Sequence, residues 1–324
     1  MQEDNSFEAL TNPGEASNFF HFEDAPVFNP VAAKSYSRDN GLWLMECCRL
    51  VYRKDRPPDE QPKQPSRQEI FDHFGLKETR FFDGHVQEKN IKDAQAALIK
   101  GKGFVVLAFR GTLGPGDLLA DLDFKPTDWG GEGKVHEGFK KQFDAIWEQG
   151  DNLRAALDEL KEEDGPVFYT GHSLGASLAT LAAATRFLDE KAVKPAALYT
   201  FGSPRVGTRG FAHAFPDDFF HCRVVNDRDF VPTVPPRKFL LTPDFHHVGI
   251  PHHIDHVGHL RRGKPGDDED GFATPKGQVL DHLNSLSGRF LEFVRTAGRS
   301  FAEKFTDHTP VNYTARIERA GDFV

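Results

Sequence analysis

"PVFYTGHSLGASLATLAAATRF", residues 166–187, passes from a short apolar strand through Gly-His-Ser-Leu-Gly into an alanine-rich helix. A strand that turns into a helix so abruptly brings backbone against backbone. The positions on either side of Ser173 must then be nearly bare, and they are Gly171 and Gly175. The pattern G-x-S-x-G is weak by itself. A strand before it and a helix after it make it a specific expectation of a sharp turn that lifts one serine out of the chain.

Outward from that turn, strands and helices alternate. "AALIKGKGFVVLAF" (96–109) reads as a hairpin, two apolar runs joined at a glycine-bearing turn. "VHEGFKKQFDAIWEQ" and "DNLRAALDELKEE" read as helices, with Phe139, Phe143, Ile146 and Trp147 on one stripe. "AALYTF" (196–201) and "FHCRVVN" (220–226) read as further strands. Strands joined through helices imply a largely parallel, buried sheet flanked by helices, an α/β fold. Upstream, "GLWLMECCRLVYR" (41–53) has the spacing of a packed helix, and the proline-rich, charged "KDRPPDEQPKQPSRQE" (54–69) that of an exposed loop. The chain is expected to be one α/β domain over 1–324, with an N-terminal extension over 1–94. A charged loop and helical insertion are expected over 261–306, where Val279, Leu283, Leu286, Phe290 and Val294 keep a helical period.

Composition narrows the partners. Lys and Arg number 40 against 49 Asp and Glu, a net charge of −9, which argues against nucleic acid or an anionic membrane as the main partner. No apolar run reaches the roughly 20 residues of a membrane span, so no integral membrane segment is expected. The start, "MQEDNSFEALTNPGEASNFF", is acidic and polar, and the three cysteines, Cys47, Cys48 and Cys222, make a poor disulfide framework. Both features favour a cytoplasmic location, the alternative being a secreted chain from which a leader has been removed.

A serine hydroxyl is a weak nucleophile until a base takes its proton, and that base needs an acid to fix its tautomer. On a parallel sheet these groups belong at C-terminal strand ends, in the order serine, acid, histidine. Ser173 follows one strand; "VVNDRDFVPTVPP" follows another and offers Asp227 and Asp229; histidines lie beyond. An oxyanion would be met by the backbone N–H of Leu174, directly after the serine. The backbone N–H and hydroxyl of Thr112, at the end of "FVVLAFRGT", supply the second donor. Such chemistry needs no metal and no organic cofactor.

The motifs "AFRGT", "DLLADLDF", "KVHEGF", "GHSLGA", "TFGSPRVG" and "VVNDRDFVPTVPP", in that order over residues 95–260 or so, resemble those of the class 3 lipases, fungal-lipase-like α/β hydrolases. The resemblance implies the α/β-hydrolase fold and a serine ester hydrolase, a lipase or carboxylesterase acting on acylglycerols. It also implies a lipid or small ester substrate met at an oil–water interface, with phospholipase A1 or acyl transfer as alternatives for the same triad. A non-catalytic binding protein on the same scaffold, with an incomplete triad, is the alternative from another class. It assigns the nucleophile to Ser173, the acid to Asp229 and the oxyanion hydroxyl to Thr112. Ala176 departs from it, standing where many members have glycine. "TFGSPRVG" is read as loop architecture with no chemical role.

Two histidines compete for the base. "VLDHLNSL" places His282 near the start of a long apolar-striped helix, whereas "FTDHTPVNYTARI" places His308 just beyond that helix, with Pro310 helping to end it. A loop lets a ring reach both serine and acid, and bacterial-type members resemble "DHTPVNY", so His308 is the expected base. "GTLGPGDLLADLDF" (111–124) carries Leu118, Leu119 and Leu122 on one apolar face behind a Gly-Pro-Gly hinge, and is expected to be a short amphipathic lid. "FHHVGIPHHIDHVGHL" (245–260) is dense in histidine, but a strand around "FHHVG" would point alternate rings apart, and no physiological metal site is expected there.

Overall fold

The structure, a computed structural model, describes residues 19–22, 24, 26–53, 64–85, 94–111, 125–148, 152–227, 229–235, 244–263 and 307–320. Its centre is an eight-stranded sheet. In chain order the strands are β1 (Lys77–Gly84), β2 (Ala94–Gly101), β3 (Phe104–Phe109), β6 (Val167–His172), β7 (Ala197–Phe201), β9 (His221–Asn226), β11 (Ile250–Ile254) and β12 (Leu260–Arg262). They lie side by side in that same order. From β3 to β11 every pairing is parallel, while β1–β2, β2–β3 and β11–β12 are antiparallel. The hairpin expected over 96–109 is β2–β3, closed by a turn in which Gly103 takes φ +78°. A second, antiparallel sheet joins β4 (Pro126–Thr127), β5 (Val135–His136), β8 (Gly207–Thr208) and β10 (Phe245–His246).

Strand periodicity divides the core in two. Along β3, Phe104, Val106 and Ala108 face one side, where they meet Leu44, Cys48 and Val51 of helix α1 (Arg38–Val51) and Ile70 and Phe71 of α2 (Arg67–His73). Val105, Leu107 and Phe109 face the other side. There they meet Phe139, Phe143 and Ile146 of α3 (Glu137–Trp147), Leu157 of α4 (Leu153–Asp158) and the alanine-rich α5 (Leu174–Leu188). Continuous apolar runs such as "FVVLAF" are required because both faces are covered. A short α6 (Arg209–Ala212) follows β8, and α7 (Pro310–Arg319) closes the described chain against α1.

Within the N-terminal 94 residues, α1 and β1 belong to this same core and sheet. The contact between α1 and α7 is polar at its heart. Glu46, fully buried, accepts from Arg49 (2.6 Å), from the Thr314 hydroxyl (2.7 Å) and from the Phe20 backbone N–H (2.8 Å). The expected helical insertion lies outside the described residues apart from 261–263, where Arg261 and Arg262 end β12. Among the described residues no helix is long and apolar enough to cross a membrane.

Candidate active site

The parallel strands β3, β6, β7 and β9 finish in register, Phe109 opposite Gly171, His172 opposite Phe201, and Phe201 opposite Val224. Their C-terminal ends therefore form one ledge, and the candidate residues stand on it. Ser173 sits between β6 and α5 at φ 60°, ψ −130°, a conformation that costs a non-glycine residue on the order of 1–3 kcal/mol. Its N–H donates to the Phe201 carbonyl (2.9 Å), which pins the turn to β7. The flanking glycines are obligatory. A Cβ on Gly171 would lie 2.1 Å from the Gly175 carbonyl oxygen, and one on Gly175 would lie 2.3 Å from that of Phe109.

His308 lies just before α7, whose first turn is capped by Thr309 and carries Pro310. Its Nδ1 is 2.8 Å from Asp229 Oδ2, and its Nε2 is 2.8 Å from Ser173 Oγ. The carboxylate can only accept, so Nδ1 carries the proton and Nε2 is left to accept from the serine hydroxyl. Asp229 is buried beyond the end of β9, and its other oxygen, Oδ1, accepts from the Val231 N–H (2.9 Å). Tyr313, in the first turn of α7, donates its hydroxyl to Asp229 Oδ2 at 2.6 Å and accepts the Asn226 N–H at 3.2 Å. Burial, then the adjacent Asp229 charge, pushes the Tyr313 phenol well up, so it remains a donor. Asn226 in turn holds the Asp307 carbonyl (2.8 Å), fixing the loop that presents His308.

The backbone of the rival acid, Asp227, is tied to β11: its N–H donates to the Ile254 carbonyl (2.7 Å), and its carbonyl accepts from His253 (3.0 Å). The backbone N–H of Leu174 directly follows Ser173 at the first turn of α5. Thr112, Leu118, Leu119, Leu122 and His282 lie outside the described residues. The histidines of 246–259 disperse. His246 pairs with Asp244 (3.0 Å), His247 with the Pro232 carbonyl (2.7 Å), His252 with Cys222 Sγ (3.2 Å), and His259 with Asp255 (3.3 Å). Among the described residues no three His, Cys, Asp or Glu side chains converge to hold a metal ion.

Two residues gain a role at the site that their motifs, "TFGSPRVG" and "DHTPVNY", do not by themselves assign. Gly202, within "TFGSPRVG", takes φ +58°, and a Cβ there would lie 2.7 Å from Asp229 Oδ2 and 2.9 Å from the His308 ring. Tyr313 follows His308 by five positions, which on a newly started helix turns its ring back toward the acid.

The family described as Lipase (class 3) matches residues 106–239. The lipase of Rhizomucor miehei is 31% identical over 207 residues, covering 60% of this chain and 55% of that protein. A solved structure of that lipase in complex with its propeptide matches with a TM-score of 0.58 at 25% identity, over 77% of this chain and 80% of that one. Phospholipase A1-II 4 of Oryza sativa subsp. japonica is 33% identical over 173 residues, 45% of this chain and 43% of its own. Secreted mono- and diacylglycerol lipase 1 of Fusarium solani is 35% identical over 141 residues, 42% of this chain and 40% of its own. The chain thus spans about half the length of these relatives.

The expected cytoplasmic location is corrected by these likenesses, since the Fusarium solani relative is named as secreted. The cysteine count misleads for a physical reason. Cys47, Cys48 and Cys222 are free thiols in the core, where they pack as small apolar groups. Burial pushes Cys48 up to about 12 and the other two well above the ordinary thiol range, so their number carries no information about redox compartment.

Proposed function

The chain belongs to the class 3 lipase family of α/β hydrolases, and from that premise we propose that it is a serine carboxylic ester hydrolase acting on acylglycerol-type lipids. The observation that carries this reading is the continuous hydrogen-bonded line from Ser173 Oγ through His308 to Asp229, 2.8 Å at each step. Ser173 Oγ attacks the ester carbonyl carbon while His308 Nε2 takes the serine proton. The buried Asp229 carboxylate steadies the resulting imidazolium, and Tyr313 holds that carboxylate in place. The negative oxygen of the tetrahedral intermediate is received by the Leu174 N–H and by the N–H and hydroxyl of Thr112. Collapse breaks the bond to the alcohol, which leaves with the proton from His308, and the acyl group stays on Ser173. Water then attacks the acyl-enzyme, giving its proton to His308, and a second collapse restores Ser173 and releases the carboxylic acid.

A second reading keeps the same triad and changes the substrate to a phospholipid cleaved at one acyl ester; the rice phospholipase A1 likeness supports it. The likeness to a secreted relative supports export of this chain. Purified protein is to be assayed on p-nitrophenyl esters of increasing chain length, on emulsified triacylglycerol and on phosphatidylcholine, with products identified. Fatty acid with diacylglycerol marks a lipase; fatty acid with 2-acyl lysophospholipid marks a phospholipase A1. No acid released from any of them overturns the reading.

A further inference from the structure

His172, immediately before Ser173, is a fully enclosed polar ring to which the hydrolytic steps above give no task. Its Nε2 lies 2.7 Å from the His308 carbonyl oxygen, and its Nδ1 lies 2.8 Å from the Tyr52 hydroxyl. A carbonyl only accepts, so Nε2 carries the hydrogen and donates to it; Nδ1 is then the acceptor and Tyr52 donates. The Tyr52 oxygen in turn packs against Gly111, just beyond the end of β3. Gly111 must be bare for this, because a Cβ there would lie 2.2 Å from Tyr52 Oη and 3.0 Å from Ser173 Cβ. Three segments far apart in sequence are thereby tied by polar bonds of fixed direction: the end of α1, the Ser173 turn and the His308 loop.

Resting on the ester-hydrolase reading, we propose that Tyr52 and His172 are positioning residues: a relay from Tyr52 to the His308 backbone that sets the base against the nucleophile. An apolar pair of the same size would fill the space but would leave the His308 carbonyl without this partner, and it would give the loop no fixed direction. The relay has a second consequence. The His172 and His308 rings are 4.7 Å apart between centroids, and His308 must accept a proton in each half-reaction. Burial and the neighbouring His308 keep His172 well below the usual imidazole range, and the Tyr52 O–H occupies the lone pair that a proton would need. His308 therefore becomes cationic beside a neutral neighbour. The relay is itself anchored, since Tyr52 caps α1, the helix joined to α7 through buried Glu46.

The test compares Tyr52→Phe, His172→Leu and His172→Gln with wild type on a soluble short-chain ester, with thermal melts to verify folding. Tyr52→Phe removes one oxygen and should lower kcat about 10-fold with KM changed less than about twofold, the signature of a misplaced base. His172→Leu should lower kcat further. His172→Gln, whose amide can still donate to the His308 carbonyl, should recover most of that loss. Wild-type kcat in folded Tyr52→Phe overturns the relay, as does a glutamine variant no better than leucine. Should His172→Leu fail to fold, Tyr52→Phe alone decides. Ser173→Ala is run alongside: if it keeps turnover, the hydrolase reading has failed; if it is inactive while Tyr52→Phe is normal, only the relay has.

Discussion

Replacing Gly202 by alanine adds one methyl group at the point where the acid and the base are held together. The methyl carbon would stand 2.7 Å from Asp229 Oδ2 and 2.9 Å from His308 Cε1 and Nδ1, where ordinary contact begins at 3.4 Å. Relief by movement of the carboxylate alone requires about 0.7 Å (3.4 − 2.7). Asp229 Oδ2 accepts from His308 at 2.8 Å and from Tyr313 at 2.6 Å, so a shift of that size breaks or bends at least one of the two bonds. The φ of +58° adds a left-handed backbone cost for alanine of roughly 1–2 kcal/mol. The variant should fold with reduced stability, and its kcat should fall about 100-fold, the effect of moving a catalytic group by the better part of an ångström. Steady-state kinetics on a soluble p-nitrophenyl ester, normalised to folded protein from a denaturant melt, measure it. A wild-type kcat per folded molecule would refute the view that Gly202 is required for acid–base alignment.

Tyr313→Phe removes the hydroxyl that donates to Asp229 and accepts from Asn226, while the ring stays packed in the core. The lost charge-assisted bond is worth about 1.5–3 kcal/mol, so kcat should fall roughly 10- to 150-fold with KM little altered; a pure KM change would place Tyr313 in substrate binding instead. Stability should decline on mild acidification. His136 and His252 are held down to about 4, in both cases chiefly by burial, while His172 and His221 are held well below their ordinary value. These histidines are neutral when folded and free to protonate when unfolded, so their contribution is complete above about pH 6.5 and is lost as pH falls toward 4. Each of the first two can contribute on the order of 3 kcal/mol over that span. Urea unfolding at pH 7, 5.5 and 4.5 checks this, and a flat profile over that range would contradict it.

The sheet was legible because its strands are short, apolar on both faces and bounded by glycine or by helical periodicity. "FVVLAF" and "AALYTF" could hardly be anything else in a chain that alternates with amphipathic helices. The turn at Ser173 was legible because its steric requirement is local: two bare positions, four residues apart. Local pattern reaches less far in the site. His308 and Asp229 are separated by 79 residues, Tyr52 and His172 by 120, and no periodicity records which will meet. Gly202 could be read as a loop former, which it is, but the groups its missing side chain makes room for lie in the loop after β9 and the loop before α7. "DNLRAALDELKEE" kept its helical period beyond the helix itself, which stops at Asp158 before a 3₁₀ turn at Glu162–Asp164. The compartment was misjudged because the lack of a disulfide framework was read as a redox signal, whereas each of the three cysteines is packed in the core as an apolar group.

The most direct test is the rate and site of covalent labelling by an organophosphonate ester mimic, located by peptide mapping, in wild type, His308→Ala and His282→Ala. Such a reagent forms a bond only to a serine that a neighbouring base has activated. Ser173 should be labelled stoichiometrically in the wild-type chain and in His282→Ala, with ester turnover lost in step, and labelling should be nearly abolished in His308→Ala. An unlabelled Ser173 in folded protein, or a His308→Ala variant that labels at the wild-type rate, would contradict the assignment of nucleophile and base.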